Sequence, residues 1–294
     1  MKDNTSKLKN LIYKPKHITI TTHKGPDGDA IGSSLAMLHL LKQLGHCVNV
    51  ITPNSYADFL HWIPGNEEVI IFEENLKSAK EIVEKSDIIF FLDFSNLSRI
   101  SSYDISGNFF PQIINDSSAT KILIDHHQDP NMEIADIIFS DTEVSSTAQM
   151  IYEIICEMGL GSLFNKEIAE CLYLGIMTDT GSFKYSSTTA KTHNVIADLI
   201  KLGADNTKIH DLIYDKSSPN KIKLLGYCLN EKLLLYPENN AAIISLTAKE
   251  LKKFNYQKGD TEGMVNYALS IKGITFAVFL VEKDEIVKLS LRSK

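Results

Sequence analysis

Two arginines among 30 basic residues, one tryptophan and four cysteines are what this 294-residue sequence has least of. The cysteines, Cys47, Cys156, Cys171 and Cys228, form no C-x-x-C pair, which excludes a zinc ribbon and a dithiol redox motif. Scattered thiols suit a reducing compartment, so the expected location is the cytoplasm. Apolar runs are short, as in Ile88–Leu92, and none nears the ~20 residues of a membrane span. The Lys-rich stretch 1–16 lacks the apolar centre of a signal peptide. Positive charge is not in excess either: 37 acidic against 30 basic residues leave a net charge of −7. That speaks against a protein that coats long nucleic acid. It leaves a nucleotide substrate open, because bound metal ions can supply positive charge locally. With 44% hydrophobic and 23% charged residues, the chain is neither disordered, collagen-like nor a small disulfide scaffold. Its length suggests two domains.

What is present is alternation. Residues 17–22, 47–52, 87–92 and 121–124 read as buried strands, and 30–44 and 75–85 read as helices between them. Strands alternating with helices predict a parallel α/β sheet. Four helical patterns follow, at 145–158, 166–177, 189–202 and 206–214. Residues 216–220, with Ser-Ser-Pro, read as a linker. Strands at 233–236, 241–245, 275–281 and 286–291 then predict a smaller α+β domain. The expected division is 1–215 and 216–294.

The chemistry gathers at the ends of these elements. The segment His23-Lys-Gly-Pro-Asp27-Gly-Asp29 follows the first strand and opens the first helix. Open α/β sheets bind ligands at the carboxyl ends of their strands. The strand at 87–92 ends in Asp93, the strand at 121–124 ends in Asp125-His126-His127, and a helical run ends in Asp179-Thr-Gly. One Asp after a strand is usually a turn residue, and a lone His pair is usually surface. Four such placements in one chain point to one shared site. Carboxylates and imidazoles without thiolate favour Mn²⁺ or Mg²⁺ over structural zinc, and the histidines tilt the choice to Mn²⁺. Six candidate ligands suit two ions sharing a carboxylate. The reaction class is then metal-assisted hydrolysis of a phosphoester or phosphoanhydride.

In a chain that uses lysine almost everywhere, Arg99 and Arg292 are candidates for two-pronged phosphate contacts. The bland alternative is a pair of surface salt bridges. Ser145-Ser146-Thr147 reads first as a helix N-cap, with a phosphate contact at Ser146 as the second reading. His39, His46 and His61 read as surface residues, and His193 and His210 as helix residues far from the motifs. The stretch 181–189, following Asp179, is expected to line the mouth of the site.

His-x-x-x-Asp-x-Asp, a strand-final Asp, Asp-His-His and a later Asp-Thr-Gly, in that order, resemble the DHH phosphoesterases over roughly residues 15–190. Residues 178–183 and the tail Ser290-Leu-Arg-Ser293 are most similar to the nanoRNase/pAp-phosphatase branch. The resemblance implies Mn²⁺-dependent hydrolysis of very short oligonucleotides and of 3′-phosphoadenosine 5′-phosphate to AMP. It implies one metal at His23, Asp27 and Asp93, and a second at Asp29, Asp93, His126 and Asp179, with Asp93 bridging. His127 would touch the scissile phosphate or protonate the leaving oxygen, Asp125 would orient the histidines, and Arg99 would bind substrate phosphate. The family's second domain normally runs on into a Gly-Gly-Gly-His segment. This sequence has no Gly-Gly pair, so the substrate-binding domain is expected to be incomplete at its C-terminal end.

The resulting expectation is a cytoplasmic phosphohydrolase with two Mn²⁺, Mg²⁺ being the alternative ion. Its substrate is a short oligonucleotide or small nucleotide held between two domains. It binds neither long nucleic acid nor membrane, and a homodimer is left open. Competing readings are a pyrophosphatase or exopolyphosphatase, and a non-catalytic nucleotide-binding regulator.

Overall fold

The computed structural model describes residues 2–103, 107, 109–283 and 286–294. The chain divides into two compact units, Met1–Leu212 and Ile213–Lys294. The first contains α1 (Lys2–Leu11), β1 (His17–Thr22), α2 (Gly28–Gln43), β2 (Cys47–Thr52), β3 (Val69–Ile71), α3 (Leu76–Lys85) and β4 (Ile88–Leu92). It continues through α4 (Phe110–Asp116), β5 (Thr120–Asp125), β6 (Ile137–Ser140), α5 (Thr147–Glu157), α6 (Lys166–Asp179), α7 (Ala190–Lys201) and most of α8 (Asn206–Tyr214). The second holds α9 (Pro219–Tyr227), β7 (Leu233–Tyr236), β8 (Ala241–Leu246), α10 (Ala248–Lys253), α11 (Met264–Leu269), β9 (Phe276–Lys283) and β10 (Ile286–Ser293).

The first unit is built on one parallel six-stranded sheet in the order β3-β2-β1-β4-β5-β6. Every residue of β4 is buried, so its run Ile-Ile-Phe-Phe-Leu is apolar on both faces, as a doubly covered parallel strand requires. Strand order reverses direction between β1 and β4, and ligands of open α/β sheets bind at such a switch point. The two loops that leave β1 and β4 at their carboxyl ends carry His23 and Asp93.

α2 is buried along almost its whole length and crosses α6 at glycine. A Cβ at Gly32 would stand 2.5 Å from the Cys171 carbonyl oxygen, and one at Gly175 would stand 2.6 Å from Ala148 Cβ. Only hydrogen fits at these two positions, and that fixes how closely the helices bearing Asp29 and Asp179 approach.

The second unit is a four-stranded mixed sheet in the order β10-β9-β8-β7, with β8 and β9 parallel and the outer pairs antiparallel. Ala242, Ile244 and Leu246 of β8 and Ala277, Phe279 and Val281 of β9 point to one buried face. Leu234, Leu289 and Leu291 remain 53%, 53% and 46% exposed.

The differences from the sequence reading lie in short or irregular pieces. β3 and β6 are three and four residues long, too short for a periodic signal. The stretch 1–16 is not merely polar: α1 buries Thr5 and Leu8, and Asn4 donates to the Ile138 carbonyl on edge strand β6. The linker is shorter than expected, because Ser218 caps α9 and Pro219 occupies its first turn. His46 is a correction: it is 6% exposed, its Nδ1 accepts from Lys16 N–H, and its Nε2 meets the Ile12 carbonyl. Burial lowers its pKa, in keeping with a neutral ring that ties the end of α1 to β1. No helix among the described residues is long and apolar enough to cross a membrane, and all four cysteines are free.

Candidate metal centre

Each side chain of the site is delivered by an element end. β1 ends at Thr22 and hands over His23; β4 ends at Leu92 and hands over Asp93; β5 ends at Asp125, followed by His126 and His127. Asp27 is the N-cap of α2, its Oδ1 accepting from Asp29 and Ala30 N–H at 3.1 Å each. Asp29 stands in the first turn of α2, and Asp179 is the last residue of α6. Asp93 has φ 66°, a left-handed conformation that a non-glycine residue holds only under constraint, at a cost of ~1–3 kcal/mol. Strain of that kind gathers at functional sites.

The structure brings His23, Asp27, Asp29, Asp93, His126 and Asp179 together. His23 Nε2 is 3.4 Å from Asp93 Oδ2 and 3.8 Å from Asp27 Oδ1. His126 Nε2 is 3.2 Å from Asp179 Oδ2, 3.6 Å from Asp93 Oδ1 and 3.9 Å from Asp29 Oδ2. Two clusters, His23/Asp27/Asp93 and Asp29/His126/Asp179, each gather three potential ligand atoms within 4.8 Å of one another. Asp93 faces both clusters, Oδ2 toward His23 and Oδ1 toward His126. Asp93, His126 and His127 form a third such group.

Burial makes this crowding costly. His23 would lose its proton through burial alone, but hydrogen bonding and charge from Asp27 and Asp93 outweigh that and push its pKa up to about 10. Asp93 would rise through burial, but His23 holds it well below the usual carboxylate range. Burial and the charges of Asp93 and Asp27 push Asp179 up to about 8. Burial, with the Asp93, Asp179 and Asp27 charges, likewise raises Asp29. His126 is lowered, first by burial. Its Nε2 is buried without a hydrogen-bond partner, although three carboxylates stand within 4 Å. An imidazole nitrogen left so among carboxylates, and carboxyls driven to hold protons, fit divalent cations better than they fit one another. His23 Nδ1 meets the Lys24 carbonyl at 3.1 Å, which turns Nε2 to the carboxylates, as a carbonyl partner does for a metal-binding histidine.

His127 stands apart from the six. Its Nδ1 donates to Asp125 Oδ1 at 2.7 Å, and this bond raises its pKa. Asp125 is fully buried, so the carboxylate is fixed and the ring is oriented by it. Arg99 is exposed on the turn Leu97–Ile100; its charge opposes protonation of His127, which places it beside the site. Its carbonyl accepts from Lys24 N–H at 2.7 Å, pinning the His23 loop to the segment after Asp93. Arg292 lies exposed on β10 of the second unit, donating to the Leu291 carbonyl.

Ser146 is corrected. It is fully buried, and its hydroxyl accepts from Gln149 N–H as the N-cap of α5, so it has no surface to offer a substrate. Its neighbour Thr147, which the sequence placed in the same cap, faces the carboxylates. Its Oγ1 donates to Asp93 Oδ1 at 3.0 Å and its N–H to Asp29 Oδ2 at 2.7 Å, while Ala148 N–H donates to Asp29 Oδ1 at 2.9 Å. The available signal was the cap itself: a helix start aims its free N–H groups at whatever anion is near. His193 and His210 are not remote from the motifs. Their rings flank Phe183, at 5.9 and 6.3 Å between centroids, in the turn after Asp179 where Gly181, Ser182 and Phe183 all have positive φ.

The N-terminal domain of the DHH family matches residues 17–176, which hold every site residue named above except Asp179, His193, His210, Phe183 and its turn, and Arg292. The chain belongs to the DHH family. Among DHH-family relatives, the bifunctional oligoribonuclease and PAP phosphatase NrnA of Bacillus subtilis is 29% identical, over 94% of this chain and 81% of that protein. The protein of the same name from Thermus thermophilus is 30% identical, over 94% and 76%. The crystal structure of an exopolyphosphatase-related protein from Bacteroides fragilis superposes with a TM-score of 0.93 at 39% identity, covering all of this chain and 84% of that one.

Proposed function

We propose that this DHH-family chain is a cytoplasmic metal-dependent phosphohydrolase that cleaves short oligonucleotides and converts 3′-phosphoadenosine 5′-phosphate to AMP. The observation that carries the reading is the pair of ligand clusters that Asp93 faces with its two oxygens, with the unpartnered His126 nitrogen between carboxylates. The names of the Bacillus and Thermus relatives supply the substrate class.

His23, Asp27 and Asp93 would hold one ion, and Asp29, Asp93, His126 and Asp179 the other. The donor set of carboxylates and imidazoles suits Mn²⁺ first and Mg²⁺ second. Two such ions supply Lewis acidity toward the phosphoryl oxygens and toward the attacking water. The remaining work belongs to the chain. Arg99 holds a substrate phosphate by two parallel hydrogen bonds. His127, kept protonated by Asp125, gives a proton from Nε2 to the leaving oxygen. Residues 1–215 are the catalytic domain, and 216–294, with Arg292, contribute to nucleotide binding. A small nucleotide is the substrate in this reading, and a homodimer is compatible with it.

A second reading has a specific observation in its favour. The Bacteroides relative, 39% identical, is called exopolyphosphatase-related, which makes polyphosphate or pyrophosphate the alternative substrate. Turnover with Mn²⁺ on 3′-phosphoadenosine 5′-phosphate, a dinucleotide, a cyclic dinucleotide and pyrophosphate separates the two. The proposed function expects the first two substrates to be consumed and pyrophosphate to be left. Fast release of phosphate from pyrophosphate alone would replace it with the second reading.

A further inference from the structure

A carboxylate that serves two ions must point its two oxygens into two different clusters and keep them there. Asp93 has that orientation on a backbone of φ 66°, a conformation a non-glycine residue holds under constraint, with its N–H donating to the Ile124 carbonyl at 3.1 Å. Among the described residues, the hydroxyl that reaches its carboxylate is Thr147 Oγ1, at 3.0 Å from Oδ1. A hydrogen bond to Oδ1 leaves Oδ2 facing His23, while Oδ1 stays on the His126 side. The same residue's N–H, with that of Ala148, holds both oxygens of Asp29. Thr147 is fully buried.

The surroundings admit little else. A Cβ at Gly175 would stand 2.7 Å from Asp29 Oδ1 and 2.6 Å from Ala148 Cβ, so Asp29 is enclosed between the start of α5 and the backbone of α6. The N-terminal end of α5, an 11-residue helix, also places its partial positive charge against these buried carboxylates. Two carboxylates from opposite sides of the switch point are thus tied to a single residue on a third element.

We infer that Thr147 is the positioning residue of the metal centre: its hydroxyl sets the rotation of Asp93 and its N–H the seat of Asp29, and so the register between the two clusters. The inference rests on the two-ion reading of the site. Thr147 touches neither ion nor substrate and acts through the two aspartates.

The test is calorimetric titration of Mn²⁺ into the metal-stripped full chain, beside steady-state kinetics on 3′-phosphoadenosine 5′-phosphate. Thr147→Val keeps the shape and removes the donor; Thr147→Ser keeps the donor and removes the methyl. Partners of this kind typically cost ~10–100-fold in metal affinity or activity when removed. Thr147→Val is therefore expected to weaken one of two Mn²⁺ equivalents ~10–100-fold and to lower kcat by a similar factor, with KM within about twofold. The Mn²⁺–Mn²⁺ exchange coupling seen by electron paramagnetic resonance should weaken with it, and Thr147→Ser should restore all three. In an Asp93→Ala background, Thr147→Val should add no further loss of metal affinity. Thr147→Ala serves the same comparison if Thr147→Val does not fold. Wild-type affinity, coupling and kcat in Thr147→Val, or equal impairment in Thr147→Ser, would overturn the inference. Fewer than two equivalents in the unmutated chain would overturn the two-ion reading instead.

Discussion

The two units differ in what they place out of keeping with ordinary folding. Residues 1–212 carry 28 acidic and 17 basic side chains, and drive Asp29, Asp93 and Asp125 into positions with at most 2% exposure. Residues 213–294 carry 9 acidic and 13 basic side chains, and the strain there is apolar: Leu234, Leu289 and Leu291 stand half exposed on strands. Uncompensated buried charge destabilises a fold by several kcal/mol per group; the Thr147 and Ala148 N–H groups and His127 offset part of it here, and a bound cation would offset the rest. An exposed leucine costs far less, since it simply forgoes ~1.5–3 kcal/mol of burial. The contrast goes with the candidate metal centre, all of whose residues lie in the first unit.

The sharpest way to break that contrast is to remove the shared carboxylate. Asp93→Asn is expected to take turnover to assay background and to weaken both Mn²⁺ equivalents, whereas Asp27→Asn should weaken one. Elemental analysis with activity checks both; a fully active Asp93→Asn would end the two-cluster assignment. Next in size is His127→Ala. It should keep both ions and lose ~10²–10⁴-fold in kcat, as removal of a general acid does. Loss of an ion would make His127 a ligand, which its place in the Asp93/His126/His127 group allows.

The arginines compare the units directly. Arg99→Lys should cost ~10-fold in kcat/KM on every substrate, because a point charge replaces a two-pronged contact. Arg292→Lys should cost several-fold on nucleotides and leave bis-p-nitrophenyl phosphate unchanged. Equal effects on both substrates would remove the second unit from recognition.

The smallest effect is on stability against pH. Asp179, near 3.8 in an unfolded chain, is held at about 8 in the fold, so its contribution is complete below pH 4 and fades as pH rises through 8. His23, raised from 6.5 to about 10, fades in the same direction between those values. The metal-stripped protein should lose a few degrees of melting temperature between pH 5.5 and 8.5. Asp179→Asn should flatten that slope, and added Mn²⁺ should stabilise most at the alkaline end. A slope unchanged in Asp179→Asn would remove this residue as its source.

Sequence reading found the parts of this fold that repeat with a period. β1, β2, β7 and α8 lie where 17–22, 47–52, 233–236 and 206–214 place them, because apolar spacing alone defines them. The four segments that end in His23, Asp93, Asp125 and Asp179 were legible for the same reason: strand and helix ends mark where a chain turns toward a shared edge. Three kinds of feature were not legible. β3 and β6 are too short to repeat, and His46 is buried by a tertiary hydrogen bond that no local pattern announces. Thr147 looked like one residue of a cap because its partners, Asp29 and Asp93, lie 118 and 54 residues away.

The glycine crossing of α2 and α6 has one more consequence. With a backbone carbonyl 2.5 Å from where a Cβ at Gly32 would be, the helices cannot close further, and their close contact resists spreading. The main-chain positions from which Asp29 and Asp179 reach are then fixed, and only their side chains are free to adjust to an ion. Mg²⁺ binds oxygen at about 2.0–2.1 Å and Ca²⁺ at about 2.3–2.6 Å, so side-chain rotation alone would have to meet the larger cation. Turnover with Ca²⁺ in place of Mn²⁺ is expected to fall.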